Sequence, residues 1–318
     1  MYMRRTGFLC DKRYLLHETG EEHPECARRL NNVYKAVRDS GLLEAVVRIK
    51  PAKARPEQLE LVHTREYILR FEDACKRGQP FFDTPDNRIC KKTYSAALLA
   101  AGGVLKAVDM VMSGKLDNAF CAVRPPGHHA LPGTAMGFCF FNNVAIAARH
   151  LQHRWNVARV GIVDFDVHHG NGTQDIFEAD PTVYYYSIHQ HPSFAFPGSG
   201  REFETGTGAG VGYTLNTPML PGRQDRDYMS CLERDLVPAF EVFQPDFVLV
   251  SAGFDAHAED DMADMELTDH GFAWIARRIR ELADMYCGGR MVSILEGGYC
   301  LPKIGELCSN HLNMLLRD

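Results

Sequence analysis

Short β-branched and aromatic runs alternate with longer stretches of helical periodicity along the whole chain. Apolar runs suited to strands fall at 7–10, 119–123, 157–165, 182–188, 247–253 and 291–295. Between them a 3.6-residue period predicts helices near 28–39, 64–77, 93–113, 142–153, 225–243, 268–286 and 302–316. Runs such as Val160-Gly-Ile-Val163 and Phe247-Val-Leu-Val-Ser-Ala252 are apolar at nearly every position, which suits a sheet covered on both faces. This alternation predicts an α/β fold, with a mostly parallel central sheet and helices on both faces. No linker or repeat divides residues 1–318, so one domain is expected to span them. In such a sheet the carboxyl ends of the strands share one edge, where ligands bind.

Composition narrows the function classes. Of 318 residues, 45% are apolar and 24% charged, enough for a large core and too apolar for global disorder. The net charge is −6 and no Lys/Arg run exceeds two, so direct nucleic-acid binding is not expected; the mild acidity suits a cationic substrate. Ten cysteines without a C-x-x-C pair read as reduced, buried thiols of a cytoplasmic compartment. The opening Met1-Tyr-Met-Arg-Arg-Thr carries no hydrophobic signal region, and no run of about 18 apolar residues predicts a membrane span. The sequon Asn171-Gly-Thr173 falls inside the candidate site and reads as chance. The glycines of 206–212 lack G-x-G-x-x-G spacing and read as a turn.

Polar motifs begin where predicted strands stop. Arg124-Pro-Pro-Gly-His128-His129 follows 119–123, and Asp164-Phe-Asp166-Val-His168-His169-Gly-Asn171 follows 157–163. His189 to Phe196-Pro-Gly follows 182–188, Phe254-Asp255-Ala-His257 follows 247–253, and Glu296-Gly-Gly-Tyr299 follows 291–295. On a strand, Asp164, Asp166 and His168 project to one face. The bland reading is a strand end with solvated acids. The sharper one is a divalent metal held by Asp166, His168 and Asp255, three protein ligands leaving an open position for water or substrate. His128 and His129 suit proton relays, with Asp164 orienting one imidazole and Asn171 the other. Tyr299, after two glycines, offers a phenol to a developing oxyanion. Phe138 and Phe196 are expected to wall a narrow apolar channel, and Phe140 and Phe141 to pack inward.

These motifs (R-P-P-G-H-H, D-x-D-x-H-H-G-N-G-T, F-P-G-S-G, S-A-G-F-D and E-G-G-Y) occur once each, in this order. The chain resembles the histone deacetylase family of the arginase/deacetylase superfamily, nearest its class II and bacterial branch. The resemblance runs from His23-Pro-Glu-Cys-Ala-Arg-Arg29 to Tyr299. It implies Zn²⁺, or Fe²⁺, on Asp166, His168 and Asp255, with His129 as general base. His128 would be its neighbour, paired with Asp164, and Tyr299 would bind the carbonyl. Gly137 would accept the acyl-lysine NH between Phe138 and Phe196. Structural K⁺ is implied around Asp164, Asp166, His168, Ser187 and Ile188, and a second around Phe177, Val183 and Tyr213. An acidic rim residue gripping the substrate backbone is implied, with Asp83 and Asp86 as candidates.

The implied activity is deacetylation of acetyl-lysine in proteins or peptides, releasing acetate. An acetylpolyamine deacetylase with the same metal site is the alternative; Met262 stands where an acid would favour polyamines. A binuclear manganese hydrolase would need more acids than Gly170 and His257 provide. A silent acyl-lysine binding protein would have little use for Tyr299 and the histidine pair. Substrate, acyl length, native metal and oligomeric state stay open.

Overall fold

A computed structural model describes residues 4–20 and 22–317; the reading of the first three residues lies outside them. Among the described residues ten strands run in chain order: β1 (Thr6–Leu9), β2 (Val47–Arg48), β3 (Phe81–Phe82), β4 (Thr84–Arg88), β5 (Asn118–Cys121), β6 (Val160–Asp164), β7 (Val183–Gln190), β8 (Thr214–Met219), β9 (Phe247–Ala252) and β10 (Met291–Leu295). Eight form one sheet in the order β2-β1-β5-β10-β9-β6-β7-β8, parallel throughout, and β3 and β4 make a small antiparallel pair. The α/β expectation holds.

Strand alternation assigns the two faces. Thr6 and Asn118 hydrogen-bond the Leu315 carbonyl, and Phe120 and Ser293 meet His311, so these side chains face helix Leu301–Leu316. Helices Arg28–Asp39 and Asp269–Cys287 pack beside that helix. Neighbouring residues point the other way: Leu9 reaches Gly103 in helix Thr93–Met112, which packs against helix Asn143–Trp155. By length and composition Thr93–Met112 is apolar enough to cross a membrane; here its Ala and Val residues, with Leu99 and Leu105, are buried. β5, β6, β9 and β10 are buried at every residue, as strands covered on two faces must be.

Several elements differ from the sequence reading. Edge strand β8 reads Thr-Leu-Asn-Thr-Pro-Met, and its polar residues and Pro218 suit an edge while hiding the strand from a hydrophobic search. Strand β7 continues through His189 and Gln190, so its loop starts later than expected. The single helix expected over 225–243 is Asp225–Cys231, a π-helical turn Leu232–Leu236, and Val237–Phe243. Pro238 has no N–H to give the preceding turn, which accounts for the break. Helix Asn171–Phe177 starts inside the histidine motif and was not expected.

Candidate metal centre and active site

Loops from β5, β6, β7, β9 and β10 meet at the carboxyl edge around a cavity of about 300 Å³. It is lined by Asp86, His129, Gly137, Phe138, His168, Phe196, Met262 and Tyr299. Every catalytic, metal and substrate residue expected from the sequence lies in this lining or directly beneath it.

At the floor, one ligand atom from each of Asp166, His168 and Asp255 lies within 4.8 Å of the others, and all three residues are buried. His168 Nδ1 is 3.2 Å from Asp166 Oδ1 and 3.1 Å from Asp255 Oδ2. Backbone N–H groups of Gly297 and Val167 donate to Asp166 and Asp255, at 2.7 and 3.1 Å, and fix the carboxylates' orientation. A Cβ at Gly297 would collide with both carboxylates, so the β10 loop can close under the site only with glycine there. Two buried carboxylates side by side need a cation. Burial pushes the Asp255 carboxyl up, and Asp166 adds to the push. Burial also opposes charge on His168, yet Asp166 and Asp255 overcome it and raise that imidazole to about 10. Buried oxygen and imidazole donors drawn together in this way fit a divalent metal, which would displace the His168 proton. Among the described residues this is the one such cluster. His257 turns away, its Nε2 3.3 Å from Asp269.

The histidine pair is asymmetric. His128 Nδ1 lies 3.0 Å from Asp164 Oδ2, which also accepts the Tyr185 hydroxyl at 3.1 Å. His129 Nδ1 lies 2.8 Å from Asn171 Oδ1. Burial opposes charging either ring, but Asp164 and Asp166 reverse this at His128 and lift it to about 10. At His129, burial and then the charges on His128 and His168 drive the pKa well below its ordinary value. The rings are 4.0 Å apart, centroid to centroid. One is built to hold a proton and the other to receive one.

Three buried groups that the sequence reading did not single out brace this arrangement. Glu296 accepts the N–H groups of Gly127 and His128 at 2.6 and 3.2 Å, and the Ser251 hydroxyl at 3.1 Å. Arg124 pairs with Glu25 at 2.5 Å. Arg29 donates to the carbonyls of Glu296 and Gly298, at 2.6 and 2.7 Å, with its guanidinium 4.9 Å from the Tyr299 ring centroid. The signals were a glutamate ending an apolar strand and arginines beside prolines or helix starts, too common to read alone.

At the walls, Gly137 and Phe138 both take positive φ, at 57° and 67°. A Cβ at Gly137 would strike the His129 ring. Their N–H groups donate to Asp86 and Asn87 at 3.0 and 2.7 Å. Of the two rim candidates, Asp86 lines the cavity, whereas Asp83 is committed to Arg70 at 2.6 Å and to the Ala135 N–H. Phe138 meets Tyr299 edge-on at 5.9 Å, and Phe196 meets His129 edge-on at 5.0 Å. Phe140 and Phe141 pack inward as expected, Phe140 stacked on Phe71 at 4.8 Å. Burial and the nearby Asp255 push the Tyr299 phenol well up, so it stays a donor.

The residues considered for K⁺ lie beside the floor. Asp164 pairs in register with Ser187, whose hydroxyl is 2.8 Å from His189, and Ile188 follows on β7. Farther along, the Phe177 carbonyl accepts from Asp180 and the Tyr213 carbonyl from Tyr185, both at 2.9 Å, with Val183 between them on β7.

Comparison with known proteins agrees with this geometry. The histone deacetylase domain matches residues 23–315. The chain belongs to the histone deacetylase family. It is similar to a probable deacetylase of Archaeoglobus fulgidus, 41% identical over 92% of this chain and 81% of that protein. A histone deacetylase-like amidohydrolase of Pseudomonas aeruginosa is 38% identical over 93% of this chain and 82% of its own length. The crystal structure of the HDA15 HD domain superposes with a TM-score of 0.93 at 36% identity, covering 98% of this chain and 88% of that one. Members of this family are hydrolases that deacetylate amides, and this chain is one of them.

Proposed function

We propose that the protein is a zinc-dependent amidohydrolase that removes acetyl groups from lysine ε-amines of proteins or peptides. The observation that carries this reading is the buried Asp166–His168–Asp255 cluster at the foot of a narrow cavity walled by Phe138 and Phe196. A divalent ion held by those three residues would supply Lewis-acid polarisation of the amide carbonyl and an acidified water.

The chain's own groups do the rest. Asn171 Oδ1 accepts from His129 Nδ1, which leaves the Nε2 lone pair of His129 free to take the water proton. The Tyr299 hydroxyl donates to the negative charge developing on the substrate oxygen. His128, held protonated by Asp164, keeps positive charge beside the reaction and stands ready to protonate the departing amine. Gly137 and Asp86 would orient the acyl-lysine at the wall and rim. Met262, uncharged in the lining, favours this substrate over an acetylated polyamine. We assign K⁺ to the Asp164–Ile188 cluster as a structural ion and, on the free thiols, a cytoplasmic setting.

The test is a panel of acetyl-lysine peptide and acetylspermidine, with enzyme reconstituted in Zn²⁺ or Fe²⁺. Faster turnover of the peptide by the zinc enzyme supports the reading. Preference for acetylspermidine overturns the substrate, and hydrolysis that survives complete chelation overturns the metal.

A further inference from the structure

The loop after β9 is tied to the loop after β10 by one side chain that no motif marks. Asp260 is 5% exposed. Its Oδ2 accepts both the Tyr299 N–H, at 2.6 Å, and the Cys300 N–H, at 2.8 Å. The other oxygen, Oδ1, accepts the Met262 N–H at 3.1 Å. Tyr299 and Met262 both line the cavity, so a single carboxylate fixes two of its walls.

The Tyr299 backbone needs such an anchor. On its N-terminal side stand Gly297 and Gly298, the latter at φ +116°, a conformation with little intrinsic restraint. On its C-terminal side helix Leu301–Leu316 begins without a side-chain cap from Cys300. The first N–H groups of a helix have no partner inside it, and negative charge is favourable there. Asp260 supplies that charge from a different loop, so capping the helix and seating the tyrosine are one act. Arg29 holds the carbonyl side of the same segment, through Glu296 and Gly298, and leaves its N–H side to Asp260.

We infer that Asp260 is a positioning residue, which sets the tyrosine hydroxyl's place over the substrate carbonyl without touching substrate. The inference rests on the role proposed above for Tyr299. A misplacement of about 1 Å can cost about 10²-fold in rate. Asp260→Ala is therefore expected to lower kcat by roughly 10- to 100-fold, with KM within about threefold and metal content unchanged. In Asp260→Asn the amide oxygen can still accept from Tyr299 and Cys300, but the amide nitrogen is a donor and cannot accept the Met262 N–H, so kcat is expected to recover only in part.

A double-mutant cycle on an acetyl-lysine peptide decides the matter. Asp260→Ala placed in a Tyr299→Phe background is expected to cost less than about threefold further, because the hydroxyl it positions is gone. An equal loss in both backgrounds, or a KM effect with kcat intact, overturns the inference while leaving the Tyr299 reading standing. Full activity in Tyr299→Phe alone overturns both. If the alanine variant does not fold, Asp260→Glu, which displaces both acceptor oxygens by one methylene, takes its place in the same cycle.

Discussion

At the cavity floor the reacting side chains follow the ends of buried strands and find their partners among buried or half-buried groups. At the rim, Phe194 and Phe196 stand 58% and 45% exposed on the loop after β7. Floor residues are held by hydrogen bonds, two of them to carboxylates (His128 to Asp164 and Gly297 to Asp166) and one to an amide (His129 to Asn171). Phe194 and Phe196 are held by ring packing against His191 and His129 and by a backbone turn in which the Phe194 N–H donates to the His191 carbonyl. The difference suggests a division of labour, with chemistry set by the rigid floor and choice of substrate left to the softer rim.

The comparison can be broken most forcefully at the metal ligands. Asp255→Ala should lose the metal by elemental analysis, and hydrolysis should fall to that of metal-free protein; unchanged metal content would remove Asp255 from the ligand set. His129→Ala comes next, with a fall of about 10²–10⁴ in kcat at unchanged metal content. Tyr299→Phe should cost about 10²–10³, again with metal retained. At the rim, Met262→Glu should leave the acetyl-lysine kcat within a few-fold and improve acetylspermidine relative to the peptide. Loss of kcat comparable to the floor variants would abolish the proposed division.

A smaller effect concerns the body rather than the site. His63 is buried with Nδ1 at 3.1 Å from the Leu131 carbonyl and Nε2 accepting the Asn142 N–H at 2.9 Å, so its neutral ring is fully used. Burial lowers it to about 4 and lowers His311 to about 3, from the usual 6.5. Below pH 6.5 the unfolded chain binds these protons and the folded one does not. Stability is therefore complete above about 6.5 and falls as pH drops toward 4, by about 1.4 kcal/mol per pH unit for each histidine. Thermal unfolding followed between pH 7 and 5 checks this, and a midpoint rising toward acid would contradict it.

The floor was the legible part because its residues share one physical signature, polar groups where a buried strand ends. Asp166, His168 and Asp255 stand out against Val160–Val163 and Phe247–Ala252, and parallel topology brings them to one edge. What escaped had no such contrast. β8 mixes Thr, Asn and Pro as an edge strand can. Asp260 lies in an acidic run, Glu-Asp-Asp, that reads as solvated until Tyr299 and Cys300 are seen to face it. Asp83 and Asp86 look alike in sequence; the structure separates them by committing Asp83 to Arg70 and the Ala135 N–H while Asp86 lines the cavity.

The guanidinium of Arg29 beneath the tyrosine loop has a practical corollary. Its surroundings raise its already high pKa, so it keeps its proton throughout any assay range. The Arg29 side of the tyrosine loop is thus indifferent to buffer acidity, whereas Asp260, the loop's other anchor, is pushed up to about 6 by burial and by the Asp255 charge, so an acidic limb in the rate profile can originate there as well as in the reacting groups.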